Sequence, residues 1–195
     1  MNKLFTLAKE ALNAHQVIAF PTETVFGLGV YFDDEKAYQL LNQIKRRKED
    51  KPYTLMLHSV DDISLYAYIE KKQLEALKQF MPGPVTLLLK CKDNVPGYVT
   101  HDTGVIGVRV PANKEALELL EFLGKPLLVP SANRADEKPA MNDQEVKQIF
   151  KDEIAVIIPG ESIGRQPSTI IDLTGDEVKL VRKGPISLED IKKAL

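Results

Sequence analysis

Apolar residues recur at helical spacing from the N-terminus. Leu4, Leu7, Ala8, Ala11 and Leu12 share one face and predict a helix over 4–15. The pattern then shortens to extended runs at 17–20 and 26–32. Asp33 or Asp34 is placed to cap a second helix with a stripe of Ala37, Leu40, Leu41 and Ile44, and Pro52 predicts its end after "KRRKEDK". "YTLML" reads as a strand, 61–68 and 71–80 as short helices, and "MPGP" as a turn. "VTLLLK" is apolar on both faces, which predicts an interior place in a sheet. The strand "VIGVRVP" follows, then a helix that Asn113 caps and Gly124 ends. "PLLVP" is a buried strand opening into "SANRADEKPA". A helix near 142–150, the strands "AVIIPG", "STIIDLT" and "VKLVRKG", and a last helix capped by Ser187 complete the chain.

Alternating helices and about seven strands predict a single α/β domain over 1–195. The tight turn "LTGDE" predicts a hairpin, so the sheet is mixed. No flexible linker or internal repeat divides the chain.

Composition narrows the function classes. Apolar residues make up 44% and charged residues 28%, a globular balance. No apolar run is long enough to span a bilayer. The first helix is interrupted by Lys9 and Glu10 and lacks a cleavage pattern, so a cytoplasmic protein is expected. Cys91 is alone, and the three histidines are isolated, which disfavours a protein-held metal. With 26 basic and 28 acidic residues the formal charge is −2, unlike a nonspecific nucleic-acid binder.

Several polar residues interrupt this plan. In "GVIGVRVP", Val105, Gly107 and Arg109 share one strand face, and Gly107 leaves room beside the arginine. Arg109 is either an exposed arginine on an edge strand or the floor of a carboxylate or phosphate site. Arg182 falls in line with Val178 and Leu180, so it snorkels at a strand end or enters an anion site. Lys45, Arg46, Arg47 and Lys48, with Lys51 nearby, suit a helix C-terminus or a polyphosphate. Ser131 and Asn133 lie just past a buried strand, where turns and ligand sites both occur, and Ser168 and Thr169 head another strand. "PTET" sets two hydroxyls between apolar runs. No glycine-rich phosphate loop and no serine nucleophile elbow is present.

Taken in order, "PTETVFGLG", "IKRRKEDKP", "PGPVTLLL", "GVRVP", "PSAN", "PSTIID" and "VRKG" resemble the YrdC-like (TsaC) threonylcarbamoyl-AMP synthase family, over residues 19 to 184. The resemblance implies a twisted mixed β-sheet flanked by helices, with a large concave basic cavity. It implies a nucleotidyltransferase: L-threonine, bicarbonate or carbon dioxide, and ATP give threonylcarbamoyl-AMP, pyrophosphate and water. The product serves threonylcarbamoyladenosine modification of tRNA through a TsaD/TsaB/TsaE-type transfer complex, with tRNA itself a further candidate partner and no membrane. Such a site needs fixed cations more than a nucleophile. By resemblance Lys45, Arg47 and Arg182 meet the triphosphate with Mg²⁺, and Lys51 lines the same region. Ser131 and Asn133 meet the nucleotide. Thr24, Ser168 and the Val129 main chain meet threonine, and Arg109 pairs with its carboxylate. Lys45, Arg47 and Arg109 are the catalytic candidates. No general base is assigned, Glu23 included.

The chain departs from the family pattern at four places. Lys48 replaces a proline, Met56 a histidine, Val105 a threonine and Pro139 a serine, and no contact is assigned there. With "VRKG" near its end, the chain is expected to be the short form of the family, without an additional C-terminal domain. Two other classes compete: an RNA-binding module without turnover, weakened by near-neutral charge, and a carbamoyl-transfer domain like that of HypF, weakened by the length and the single cysteine.

Overall fold

The computed structural model describes residues 3–46, 52–164 and 166–195, and its strands form one nine-stranded sheet. The strands are β1 (Ile18–Phe20), β2 (Gly27–Tyr31), β3 (Thr54–Met56), β4 (Val85–Lys90), β5 (Val105–Arg109), β6 (Leu127–Leu128), β7 (Val156–Ile157), β8 (Thr169–Asp172) and β9 (Lys179–Arg182). The helices are α1 (Lys3–Asn13), α2 (Glu35–Lys45), α3 (Ile63–Tyr66), α4 (Lys71–Leu77), α5 (Gly97–Thr100), α6 (Lys114–Leu123), α7 (Asp143–Phe150) and α8 (Leu188–Ala194). The sheet order is β7-β1-β2-β6-β3-β5-β4-β8-β9, with parallel and antiparallel pairs mixed, as the hairpin turn implied. No helix of the described residues is long and apolar enough to cross a membrane.

Alternation along the strands divides the core in two. Val17, Ala19, Leu28, Val30, Leu55, Leu87, Val108 and Ile171 face one way and pack against α2, α4, α7 and α8 through Leu41, Leu77, Phe150 and Ile191. Ile18, Phe20, Tyr31, Leu127 and Met56 face the other way and meet α1 and α6 through Leu12, Leu119 and Leu120. This second cover reaches β3 and stops. Beyond Met56, the same sheet face carries Arg109, Thr86, Ile170 and Arg182 across β5, β4, β8 and β9.

Local signals explain most boundaries. Asp34 caps α2 by accepting from the Ala37 N–H, and Asn113 and Asn142 cap α6 and α7 in the same way. Gly124 ends α6 at a left-handed φ of 66°. Three expectations change. There are nine strands rather than about seven: each lies in a segment read as extended, and "PLLVP" and "AVIIPG" shorten to the two-residue pairings β6 and β7. Helix α2 ends at Lys45 with Arg46 at φ 52°, well before Pro52. Tyr38 takes the buried place expected of Leu40, which packs at the margin.

Candidate active site

Directly opposed residues on neighbouring strands share a face. Met56 lies opposite Arg109, Thr86 opposite Ile170, and Ile170 opposite Arg182; the Leu87–Val108 pairing sets Thr86 beside Arg109. One row therefore crosses four strands from Arg109 to Arg182, about 14 Å between their Cα atoms at the usual strand spacing. Between them stand Thr86 and Ile170, both shorter than arginine, and the Arg109 charge acts on Arg182, so we take the strip between the two guanidinium groups as one trough.

Arg109 is 7% exposed on an interior strand, which removes the edge-strand reading. Its Nη2 donates to Glu23 Oε1 at 2.6 Å and to Thr24 Oγ1 at 2.9 Å. Thr24 is fixed in turn: its hydroxyl bonds Thr22 Oγ1 at 3.0 Å, and Thr22 donates to the Val25 carbonyl at 2.7 Å. The hydroxyls of "PTET" thus form a wall that is bonded internally and turned toward the arginine. Gly164 presses against this wall from outside, where a Cβ would lie 2.5 Å from the Glu23 carbonyl oxygen. Gly107 does not open the expected gap. Leu88 Cδ2 and Thr86 Cγ2 lie 3.3 and 3.4 Å from the point its Cβ would occupy.

Arg182 stands on the exposed edge strand but turns its guanidinium inward. Its Nε donates to the Ser168 carbonyl at 3.0 Å and its Nη2 to Ser168 Oγ at 2.9 Å, and Ser168 Oγ lies 2.8 Å from Thr86 Oγ1. Burial first, and the positive charge of Arg109 second, lower the Arg182 pKa. Two cations that raise each other's free energy mark a place where an anion is stabilised.

Lys45, Ser131 and Asn133 form an adjoining cluster. Lys45 is 3% exposed, and its Nζ donates to the carbonyls of Ser131 and Asn133 at 2.6 and 2.7 Å and to Asn133 Oδ1 at 3.2 Å. Ser131 Oγ donates to the same amide oxygen at 2.6 Å. The Ala135 N–H reaches the Lys45 carbonyl, and Arg134 reaches the Ile44 carbonyl, so the turn closes the C-terminus of α2. The cluster joins the hydroxyl wall through the Gly27–Ser131 bridge and the Ala132 N–H to Phe26 carbonyl bond. The Val129 N–H donates to the Thr54 carbonyl at 2.8 Å, and its side chain fills the space above Gly27. Arg47 and Lys51 lie outside the described residues.

Sequence reasoning thus names Thr24, Arg109, Ser168 and Arg182, which the fold brings together, and Lys45, Ser131 and Asn133, which meet beside them. It raises the Thr22 hydroxyl and Glu23 without assigning either a contact, and it misses Thr86. Thr86 was findable, because it is the polar interruption on the face of "VTLLLK" that the register sets beside Arg109. Two clefts lie elsewhere. One of about 460 Å³ is lined by His15, Asp33, Asp34 and Lys125, and another of about 210 Å³ by His58, Asp62 and Tyr66.

Comparison with known proteins places this arrangement. The Sua5/YciO/YrdC family model, described as "Telomere recombination", matches residues 10–184. A threonylcarbamoyl-AMP synthase of Pyrococcus abyssi is 36% identical over 183 residues, covering 92% of this chain and 54% of that one, so the chain spans about half the length of this relative. The uncharacterized protein YciO of Escherichia coli is 31% identical over 184 residues, covering 93% and 89%. The crystal structure of P. abyssi Sua5 complexed with L-threonine superposes with a TM-score of 0.91 at 34% identity, over 98% of this chain and 57% of that one.

Proposed function

Since the chain belongs to the Sua5/YciO/YrdC family, we propose that it is an L-threonylcarbamoyladenylate synthase. L-threonine, bicarbonate and ATP give threonylcarbamoyl-AMP, pyrophosphate and water, for tRNA modification with a TsaD/TsaB/TsaE-type complex. The threonine amine first takes up carbon dioxide as a carbamate. A carbamate oxygen then attacks the α-phosphorus, and the bond to the β,γ-pyrophosphate breaks. Charge builds on phosphate oxygens throughout, so the protein's contribution is positioning and fixed positive charge.

The observation that carries this reading is Arg109, a guanidinium nine-tenths buried whose Nε has no protein partner. Its geometry suits the carboxylate of a small amino acid, with Thr24 and Ser168 as hydroxyl contacts. Discrimination against an apolar isostere then follows from hydroxyls left unpaired. Arg182 serves the phosphates from the far side of the trough. We assign Arg47 and Lys51 the same task on their place in the motif. Lys45 serves the nucleotide by holding the Ser131–Asn133 turn, since its ammonium is committed there. Mg²⁺ enters bound to the ATP phosphates.

The test is pyrophosphate release from ATP with L-threonine and bicarbonate, with the adenylate identified by mass spectrometry. Release that requires both co-substrates carries the reading. ATP cleavage that proceeds equally without threonine overturns it.

A further inference from the structure

Glu23 takes no part in the reaction as written, yet it sits on the group assigned to the substrate carboxylate. Its Oε1 lies 2.6 Å from Arg109 Nη2, while its Oε2 and Arg109 Nε are both buried with no hydrogen-bond partner. The ion pair is half made. One guanidinium nitrogen carries both protein contacts, and its neighbour carries none. Buried donors and acceptors left this way are costly unless something completes them. Thr24 holds the same Nη2 independently, anchored by Thr22, so the arginine keeps its place if Glu23 lets go.

The geometry points to Glu23 and Arg109 as a split recognition site for an α-amino-acid zwitterion, the carboxylate taking the Nε–Nη2 edge of Arg109 and the ammonium taking the Glu23 carboxylate. This rests on the amino-acid reading of Arg109 given above. Insertion of the zwitterion turns one ion pair into two and leaves the charge of the site unchanged. An anion without an ammonium group must displace Glu23 and leave a buried carboxylate unpaired. Phosphate, abundant beside Arg182 when nucleotide is bound, is kept off Arg109 by the same cost. Glu23 is therefore a specificity and positioning residue for the amino acid.

Calorimetric titration of the full chain with L-threonine and with 3-hydroxybutyrate, which is threonine without its amine, tests this. The wild type binds 3-hydroxybutyrate about 100-fold more weakly than threonine. Glu23→Gln, which keeps size and polarity, weakens threonine about 10- to 100-fold and 3-hydroxybutyrate not at all. The KM for threonine rises in that variant and the KM for ATP stays. Equal wild-type affinity for the two ligands overturns the inference without any variant. A Glu23→Gln protein that keeps the wild-type preference also overturns it, and leaves the synthase reading standing. If another L-α-amino acid binds in a Glu23-dependent way and threonine does not, the zwitterion site stands and the substrate assignment falls. If no L-α-amino acid binds the wild type, both fall.

Discussion

One face of the sheet is built in two ways. Over β1, β2 and β6 it is apolar and sealed by α1 and α6, with Phe20, Leu127 and Leu119 buried together. Over β5, β4, β8 and β9 no helix of that cluster follows, and the row reads arginine, threonine, isoleucine, arginine. Backbone and register are continuous across the boundary at Met56. What changes is the source of cohesion. The covered half is held by area removed from water, and its residues can be exchanged for others of like volume. The open half is held by a chain of directed bonds from Glu23 through Arg109 to Thr24, and from Arg182 through Ser168 to Thr86. Directed bonds tolerate less substitution, and they place polar groups where a ligand can reach them.

The sharpest separation of the halves comes from one large truncation in each. Arg109→Met leaves the Glu23 carboxylate buried without its partner, and thermal unfolding should show a loss of about 3 kcal/mol. Leu119→Ala removes a fully buried side chain beneath α6 and should also cost about 3 kcal/mol. The two part in the activity assay. Arg109→Met abolishes threonine-dependent turnover, a loss of more than about 100-fold, while Leu119→Ala turns over normally below its melting temperature. Equal activity losses would mean that the open half is merely a weaker core.

Gly164→Ala probes the hydroxyl wall without touching a side-chain contact. A methyl there meets backbone on every near side: the Glu23 carbonyl oxygen at 2.5 Å, the Thr24 Cα at 2.6 Å and the Thr24 carbonyl oxygen at 2.7 Å. Because the main chain must move, the cost should be about 1–3 kcal/mol. Thr24 shifts with it, so the KM for threonine should rise and the KM for ATP should change less. Gly27→Ala meets the movable Val129 Cγ1 instead, at 2.5 Å, and should disturb the covered half first. If both variants raise the two constants alike, the wall and the nucleotide cluster are one mechanical unit.

The same division decides what the sequence revealed. Periodicity and caps located α1, α2, α6 and α8, because apolar spacing and Asp34, Asn113 and Ser187 act locally. Strands β6 and β7 were placed by "PLLVP" and "AVIIPG", but their two-residue extent was not, since their pairing is set by distant neighbours. Within the open half, Arg109 and Arg182 were visible as charges on apolar strands. Their register was not, because it depends on β5, β4, β8 and β9 lying side by side. Lys45 shows the limit most clearly. A lysine at a helix end reads as a solvated cation, yet it is buried by a turn more than eighty residues away. Glu23 escaped for a similar reason: its meaning lies in a partner on β5.

The finest test compares a single hydrogen-bonding side chain from each half. Ser168→Ala removes the acceptor of Arg182 Nη2 and the partner of Thr86 Oγ1, but the Arg182 Nε bond to the Ser168 carbonyl survives because it is made to the main chain. Stability should fall by only about 1 kcal/mol. Asn113→Ala, which strips the cap from α6, should cost a similar ~1 kcal/mol. The discriminating quantity is again kinetic. Loss of one neutral hydrogen bond predicts about a fivefold rise in the KM for threonine with Ser168→Ala, and none with Asn113→Ala. Adding Ser168→Ala to Glu23→Gln should then give additive effects on threonine binding, because Ser168 lies on the Arg182 side of the trough and Glu23 on the Arg109 side, with no shared hydrogen bond. Strong non-additivity would show that the two arginines respond to substrate as a single anion site, and the boundary between carboxylate and phosphate would then have to be redrawn.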